Sequence, residues 1–234
     1  MAPNSPAIPA APAVGIAITQ PEATTRSPGP SSFEITVLDI VERVIFAGIF
    51  ARFAVVTIQN LLANPNLETF LMLLSEVLPC TLILCRKPSK AMSTRPADWL
   101  FGLAGSVMPL LIKPAAVAPV LPTAICVLVI ICGLFTQICA KIVLGRSFGV
   151  VAANRGVKVA GPYRIVRHPM YAGYTITHVG LLLAMPSLLN ATLYALAFSF
   201  QVVRILREEA VLMLSQDYRD FAGRVRYRLL PGVF

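Results

Sequence analysis

The fold class this sequence predicts is all-α: a polytopic transmembrane helical bundle of about six spans, with five as the alternative, and a cofactor pocket at its cytosolic C-terminal end. Three observations lead there. Of 234 residues, 56% are hydrophobic and only 13% are charged, where soluble domains carry about a quarter charged. The mean hydropathy is +0.74. Uncharged runs recur along the chain, and Lys and Arg gather between alternate runs. An apolar excess of this size needs lipid as its solvent. The length suits one domain of several helices, with no room for a separate soluble catalytic domain.

Residues 1–32 read as a disordered Ala/Pro-rich tail. They lack the basic start and compact apolar core of a signal peptide. Transmembrane helices 1–4 are expected within 33–140, and a C-terminal core within 141–234. The first span runs from about Ile35 to Leu62, and Asn64-Pro65-Asn66 makes a turn. The second runs from Leu67 to Cys85 and ends in the basic loop Arg86-Lys87-Pro88-Ser89-Lys90. Between Asp98 and Lys113 lie 14 uncharged residues, few for a crossing that takes about 20. That segment is either a short helix with snorkelling ends or a re-entrant one. The fourth span, about Ala115 to Ala140, has no charge, and neither does the run from Tyr171 to Val203. Met185-Pro186-Ser187 and Asn190 interrupt that run, so it reads as a hairpin of two helices.

Charge sets the orientation. Four Lys/Arg lie in 86–95, six in 141–167 and six in 204–228, while the loops at 63–66 and 186–190 have none. Six crossings with both termini in the cytoplasm separate the two sets. Small size and Ala/Pro-rich composition point to a bacterial inner membrane. The net charge of +9 is concentrated beside apolar spans, with no aromatic-interleaved basic face, so nucleic acid is not the expected partner. The cysteines Cys80, Cys85, Cys126, Cys132 and Cys139 form no CxxC pair and suggest neither a metal site nor a disulfide framework.

The polar chemistry collects in two blocks on one membrane face. The first spans Arg155 to Tyr174. Pro162 and Pro169 resist regular helix there, which leaves backbone groups near Tyr163, Arg164 and His168 free for a ligand. The second begins with RILREEAVL, Arg204 to Leu212. On a helix Arg204 and Glu208 share a face, Arg207 lies near it, and Glu209 points about 100° away. A guanidinium and a carboxylate at the membrane boundary can grip opposite charges of one ligand, or simply pair at a helix end. His178, near Thr175 and Thr177, reads as a packed, hydrogen-bonded histidine. Asp39 and Arg43 are spaced as an internal pair, and Arg52 should face protein rather than lipid.

Together the blocks resemble the isoprenylcysteine carboxyl methyltransferase family and its relatives, the membrane phospholipid methyltransferases. The pattern G-x-Y-x-x-x-R-H-P-x-Y-x-G stands here as Gly161, Tyr163, Arg167, His168, Pro169, Tyr171 and Gly173. The pattern R-x-x-x-E-E-x-x-L stands as Arg204, Glu208, Glu209 and Leu212. Tyr218 and a tail with Arg228, Leu229 and Pro231 follow. The family's frequent Phe-Gly pair before that tyrosine is missing, since the segment reads MLSQDY.

The resemblance implies an S-adenosyl-L-methionine-dependent methyltransferase without a Rossmann domain, acting on a lipophilic acceptor that enters from the bilayer. Carried over, Val157, Lys158, Tyr163, His168, Pro169, Met170, Tyr171 and Glu208 would bind the cofactor, and Arg204 would be the catalytic residue beside the acceptor. No metal is implied. The acceptor's nucleophile stays open: a prenylcysteine carboxylate, a lipid amine, a phenol or a thiol. Alternative readings are an NADPH-dependent membrane sterol or lipid reductase, whose tail carries related motifs, and a non-catalytic membrane protein that keeps the fold.

Overall fold

The computed structural model describes residues 31–65, 67–89, 91–111, 117–151 and 153–234. The tail expected before residue 31 lies outside the described residues. Helix α1 spans Ser32–Ala63. It starts in a capping box, with Ser31 Oγ accepting from Glu34 N at 3.2 Å and Ser31 N donating to Glu34 Oε2 at 2.7 Å. Ser31 and Ser32 therefore belong to the helix entry and not to the tail that was expected to run to 32. Helix α2, Leu67–Cys85, has the expected bounds and carries Pro79 within it. Helix α3, Pro96–Val107, continues into a 3₁₀ turn, Met108–Leu111. Helix α4 covers Thr123–Leu144, and Gly145 closes it at φ 48°, a backbone region that favours glycine.

Helices α5, Pro169–Ala184, and α6, Leu188–Leu212, form the expected hairpin. Ser187 caps α6 by accepting from Asn190 N at 3.1 Å, while Asn190 Nδ2 donates to Met185 O at 3.2 Å. Helix α7, Gln216–Arg224, follows. One antiparallel bridge breaks the all-helical pattern. Strand β1, Ala91–Met92, pairs with β2, Ala153–Asn154, in the register Ala91↔Asn154 and Met92↔Ala153.

Three helices among the described residues are long and apolar enough to cross a bilayer: Ser32–Ala63, Thr123–Ser147 and Leu188–Leu212. The segment Thr69–Cys85 is apolar but shorter, and α5 has 16 residues. The chain is an integral membrane protein by these helices. Helix α4 runs across residue 140, so the expected division there falls inside one packed helix.

The tightest helix pair is α4 with α5, and small residues make it so. A Cβ added at Gly173 would sit 2.6 Å from Gln137 N, one at Gly133 would sit 2.8 Å from Gly173 O, and one at Gly180 would sit 2.9 Å from Ile130 N. Lipid supplies no hydrophobic drive between helices, so close backbone approach supplies the packing.

At the other end of the logic, α1 is fastened by buried charge. Glu42 is fully buried; its Oε1 accepts from Val150 N at 2.7 Å and Val151 N at 2.9 Å. Its Oε2 meets Arg155 Nη2 and Arg86 Nη2, each at 2.8 Å. Asp39 takes Arg43 Nε and Arg86 Nη2, each at 2.8 Å, and Ser89 Oγ at 3.0 Å. The expected Asp39–Arg43 pair is present within a larger network. The expectation for Arg52 is overturned: its side chain is exposed, because α1 packs mainly on α2 and presents this face outward.

Candidate functional site

The motif loop is held from three sides. Tyr163 lies in a 3₁₀ turn, Gly161–Arg164, which Gly161 enters at φ 55°. Beyond it, Arg167 N donates to Tyr227 O and His168 N to Arg228 O, each at 2.9 Å. Two backbone hydrogen bonds thus tie the C-terminal tail to the loop, although the segment before Tyr218 departs from the family pattern. The tail closes on itself as Arg228 N and Leu229 N donate to Phe234 O at 2.8 Å. Pro169 then begins α5, where its missing N–H and fixed φ suit the first helical position.

The adjacent glutamates have opposite duties. Glu209 is buried and gathers the loop, the helix and the tail. Its carboxylate meets His168 Nε2 at 3.1 Å, Arg167 Nη1 at 3.2 Å and Arg228 Nε at 2.8 Å, and accepts from Tyr218 Oη at 3.3 Å. Glu208 points the other way, as its 100° offset requires, and accepts from Tyr171 Oη at 2.9 Å. Arg204 does not pair with Glu208. Its guanidinium sits 5.1 Å from the Tyr171 ring centroid and donates through Nη2 to Gly149 O at 3.4 Å. Its buried Nε has no partner in the structure.

Two cavities meet at Tyr171 and Met170, which line both. The outer one lies at the end of the bundle that carries the basic loops. It is open to the surface and encloses about 60 Å³. Val157, Lys158, Tyr163, His168 and Glu208 line it as well, so the structure gathers every candidate cofactor residue there except Pro169, which is buried beside it. The inner cavity lies among α1 to α6 and is larger, about 290 Å³. Arg204 lines the inner cavity and not the outer one. The single wall of Tyr171 and Met170 therefore separates the carboxylate of Glu208 from the guanidinium of Arg204.

Burial dominates the electrostatics around the outer cavity. Burial pushes the Tyr163 phenol well above its usual range, and the Glu208 charge pushes the same way. Burial also raises Tyr218, with Glu209 and Glu208 adding to it. Both stay neutral phenols that present ring faces and O–H donors. Burial lowers Arg155 from the ordinary guanidinium value, and the Glu42 carboxylate opposes that shift.

Sequence reasoning missed several lining residues. Arg155 lines the outer cavity, and its Nε, like that of Arg167, is buried without a hydrogen-bond partner. Glu76, Gln137, Lys141 and Gln201 bring polar groups into the inner cavity. A charge or amide inside an apolar run was the available signal, since such groups are rare in membrane helices unless they face protein or a cavity. His178 is packed as expected, against an aromatic ring rather than through the expected hydrogen bond. Its ring stacks on Tyr194 with centroids 4.8 Å apart. Thr177 Oγ1 instead donates to Gly173 O and Thr175 Oγ1 to Tyr171 O, each at 3.0 Å.

Residues 121–219 match the model of the family described as phospholipid methyltransferase. No curated protein matches the chain. The match begins at the entrance to α4 and ends in α7, and it encloses both sequence motifs and the α5–α6 hairpin. The family-level resemblance read from those motifs is borne out: this part of the chain is membrane methyltransferase-like. It is also the part that builds most of the outer cavity.

Proposed function

We propose that the protein is an S-adenosyl-L-methionine-dependent methyltransferase that takes a lipophilic acceptor from the bilayer. One observation carries the reading: a polar outer cavity and a larger cavity among the helices share one wall, Tyr171 and Met170. Charge placement supports a cytosolic outer cavity, with both termini on that side.

The residues present fit the cofactor. It carries an ammonium, a carboxylate and a sulfonium, and when bound it supplies an electrophilic methyl group. Glu208 has one side-chain hydrogen bond, from Tyr171, and would hold the ammonium. The guanidinium groups of Arg155 and Arg167, both in the lining of the outer cavity, suit the carboxylate. Tyrosine faces suit a sulfonium. Val157 and Lys158 would add contacts from the loop, while His168 is engaged by Glu209 and would shape the wall.

Arg204 would orient the acceptor from the inner side, whose wall it lines. Tyr171 would align the two cavities. Alignment is most of what this chemistry needs, since placing two reactants correctly removes about 7–11 kcal/mol from a barrier. A water-poor site also favours a step in which charge is dispersed.

Binding of labelled adenosylmethionine to the purified, detergent-solubilised protein tests the reading. Adenosylhomocysteine should compete. Glu208→Gln should weaken binding by roughly tenfold to a hundredfold, the scale of one charge-assisted hydrogen bond of about 1.5–3 kcal/mol. A folded protein that binds NADPH and not adenosylmethionine would reject it.

A further inference from the structure

Glu76 of α2 lines the inner cavity and forms no ion pair within 4 Å among the described residues. Its side-chain contact is weak, Ser75 Oγ at 3.4 Å from Oε1. The cation nearest in role, Lys141, is fully buried and already committed: Nζ donates to Ser75 O at 2.8 Å and Gln137 Oε1 at 2.9 Å, and lies 5.1 Å from the Tyr174 centroid. Lys141, Tyr174 and Arg204 line the same cavity as Glu76. A carboxylate inside a membrane bundle is expensive to keep without a partner, and this one faces empty space where an acceptor would lie.

We infer that Glu76 is the proton acceptor of the acceptor site, and that the acceptor is a lipid whose nucleophile carries a proton, an N–H or O–H group. This rests on the methyltransferase reading. In the step, the nucleophile's lone pair forms the new bond to the methyl carbon. The S–CH₃ bond breaks with its electron pair remaining on sulfur, and the N–H or O–H proton goes to the Glu76 carboxylate. A preformed carboxylate acceptor needs no such base, so Glu76 sets the class of acceptor as well as the rate. Titratable groups facing the same cavity are Lys141 from α4, Tyr171, Tyr174 and His178 from α5, and Tyr194 and Arg204 from α6.

The test supplies full-length protein with vesicles made from a lipid extract of its native membrane and methyl-labelled adenosylmethionine. Label is then sorted by alkali, which releases methanol from methyl esters and leaves N-methyl and ether products intact. Alkali-stable label is expected. Glu76→Gln should keep cofactor affinity and lose about 10²–10⁴-fold in turnover, the range of general base catalysis, while Glu76→Asp restores part of it with a displaced pH profile. Infrared difference spectra on adding vesicles to the cofactor-free protein should show a perturbed carboxylate band that Glu76→Gln lacks. Alkali-labile label, unchanged turnover in Glu76→Gln, or no label despite cofactor binding would each overturn the inference. Absence of cofactor binding would instead bring down the methyltransferase reading beneath it.

Discussion

Replacing Glu209 by alanine should cripple the fold, whereas replacing its neighbour Glu208 should not. Glu209 is 4% exposed and meets two arginines, a histidine and a tyrosine. Arg167, with a side chain 7% exposed, would lose its carboxylate. Removing one partner of a buried ion pair costs about 3–5 kcal/mol, because the other charge stays buried. Arg228 is more open, with 31% side-chain exposure, so its share is screened and adds little. In a protein of this size each kcal/mol moves the melting temperature by roughly 2–4 °C, which gives a fall of about 6–20 °C.

The assay is thermal unfolding in detergent, run beside limited proteolysis of the tail that begins at Val225. Glu209→Ala should melt early and loosen the tail, since Glu209 holds Arg167 of the loop whose amides bond the tail carbonyls of Tyr227 and Arg228. Glu208→Gln should melt within about 2 °C of the parent while binding cofactor poorly. A Glu209→Ala protein that melts with the parent and keeps its tail protected would refute the division of labour between the two glutamates.

Two further outcomes follow from the packing. Glu42→Gln leaves the Val150 and Val151 amides one acceptor but removes the charge facing Arg86 and Arg155. It should loosen residues 150–157 and weaken adenosylmethionine binding severalfold with a smaller effect on turnover; equal affinity by equilibrium binding would refute this. Gly173→Ala would drive a methyl group against the α4 backbone at Gln137 N. It should destabilise by about 1–3 kcal/mol, read as a lower melting temperature, and an unchanged value would refute the close α4–α5 contact.

What the sequence determined by itself was local and periodic. The bounds of α2, the break at Met185-Pro186-Ser187 and the loop around Pro162 and Pro169 follow from hydropathy runs and from residues that end helices. The opposite facing of Glu208 and Glu209 follows from 100° per residue. The motifs also carried the likeness to the phospholipid methyltransferase model over residues 121–219, since their spacing needs no knowledge of the first 120 residues. Where each face ends up was beyond such reasoning. Arg52 looked inward on grounds of cost alone, but only the placement of α1 against α2 decides which side meets protein. Glu42, Arg86 and Arg155 lie up to 113 positions apart in sequence, and no spacing announces their network. The inner cavity is likewise a tertiary object. Glu76, Lys141 and Arg204 come from three different helices, and their common chemistry exists only once those helices pack.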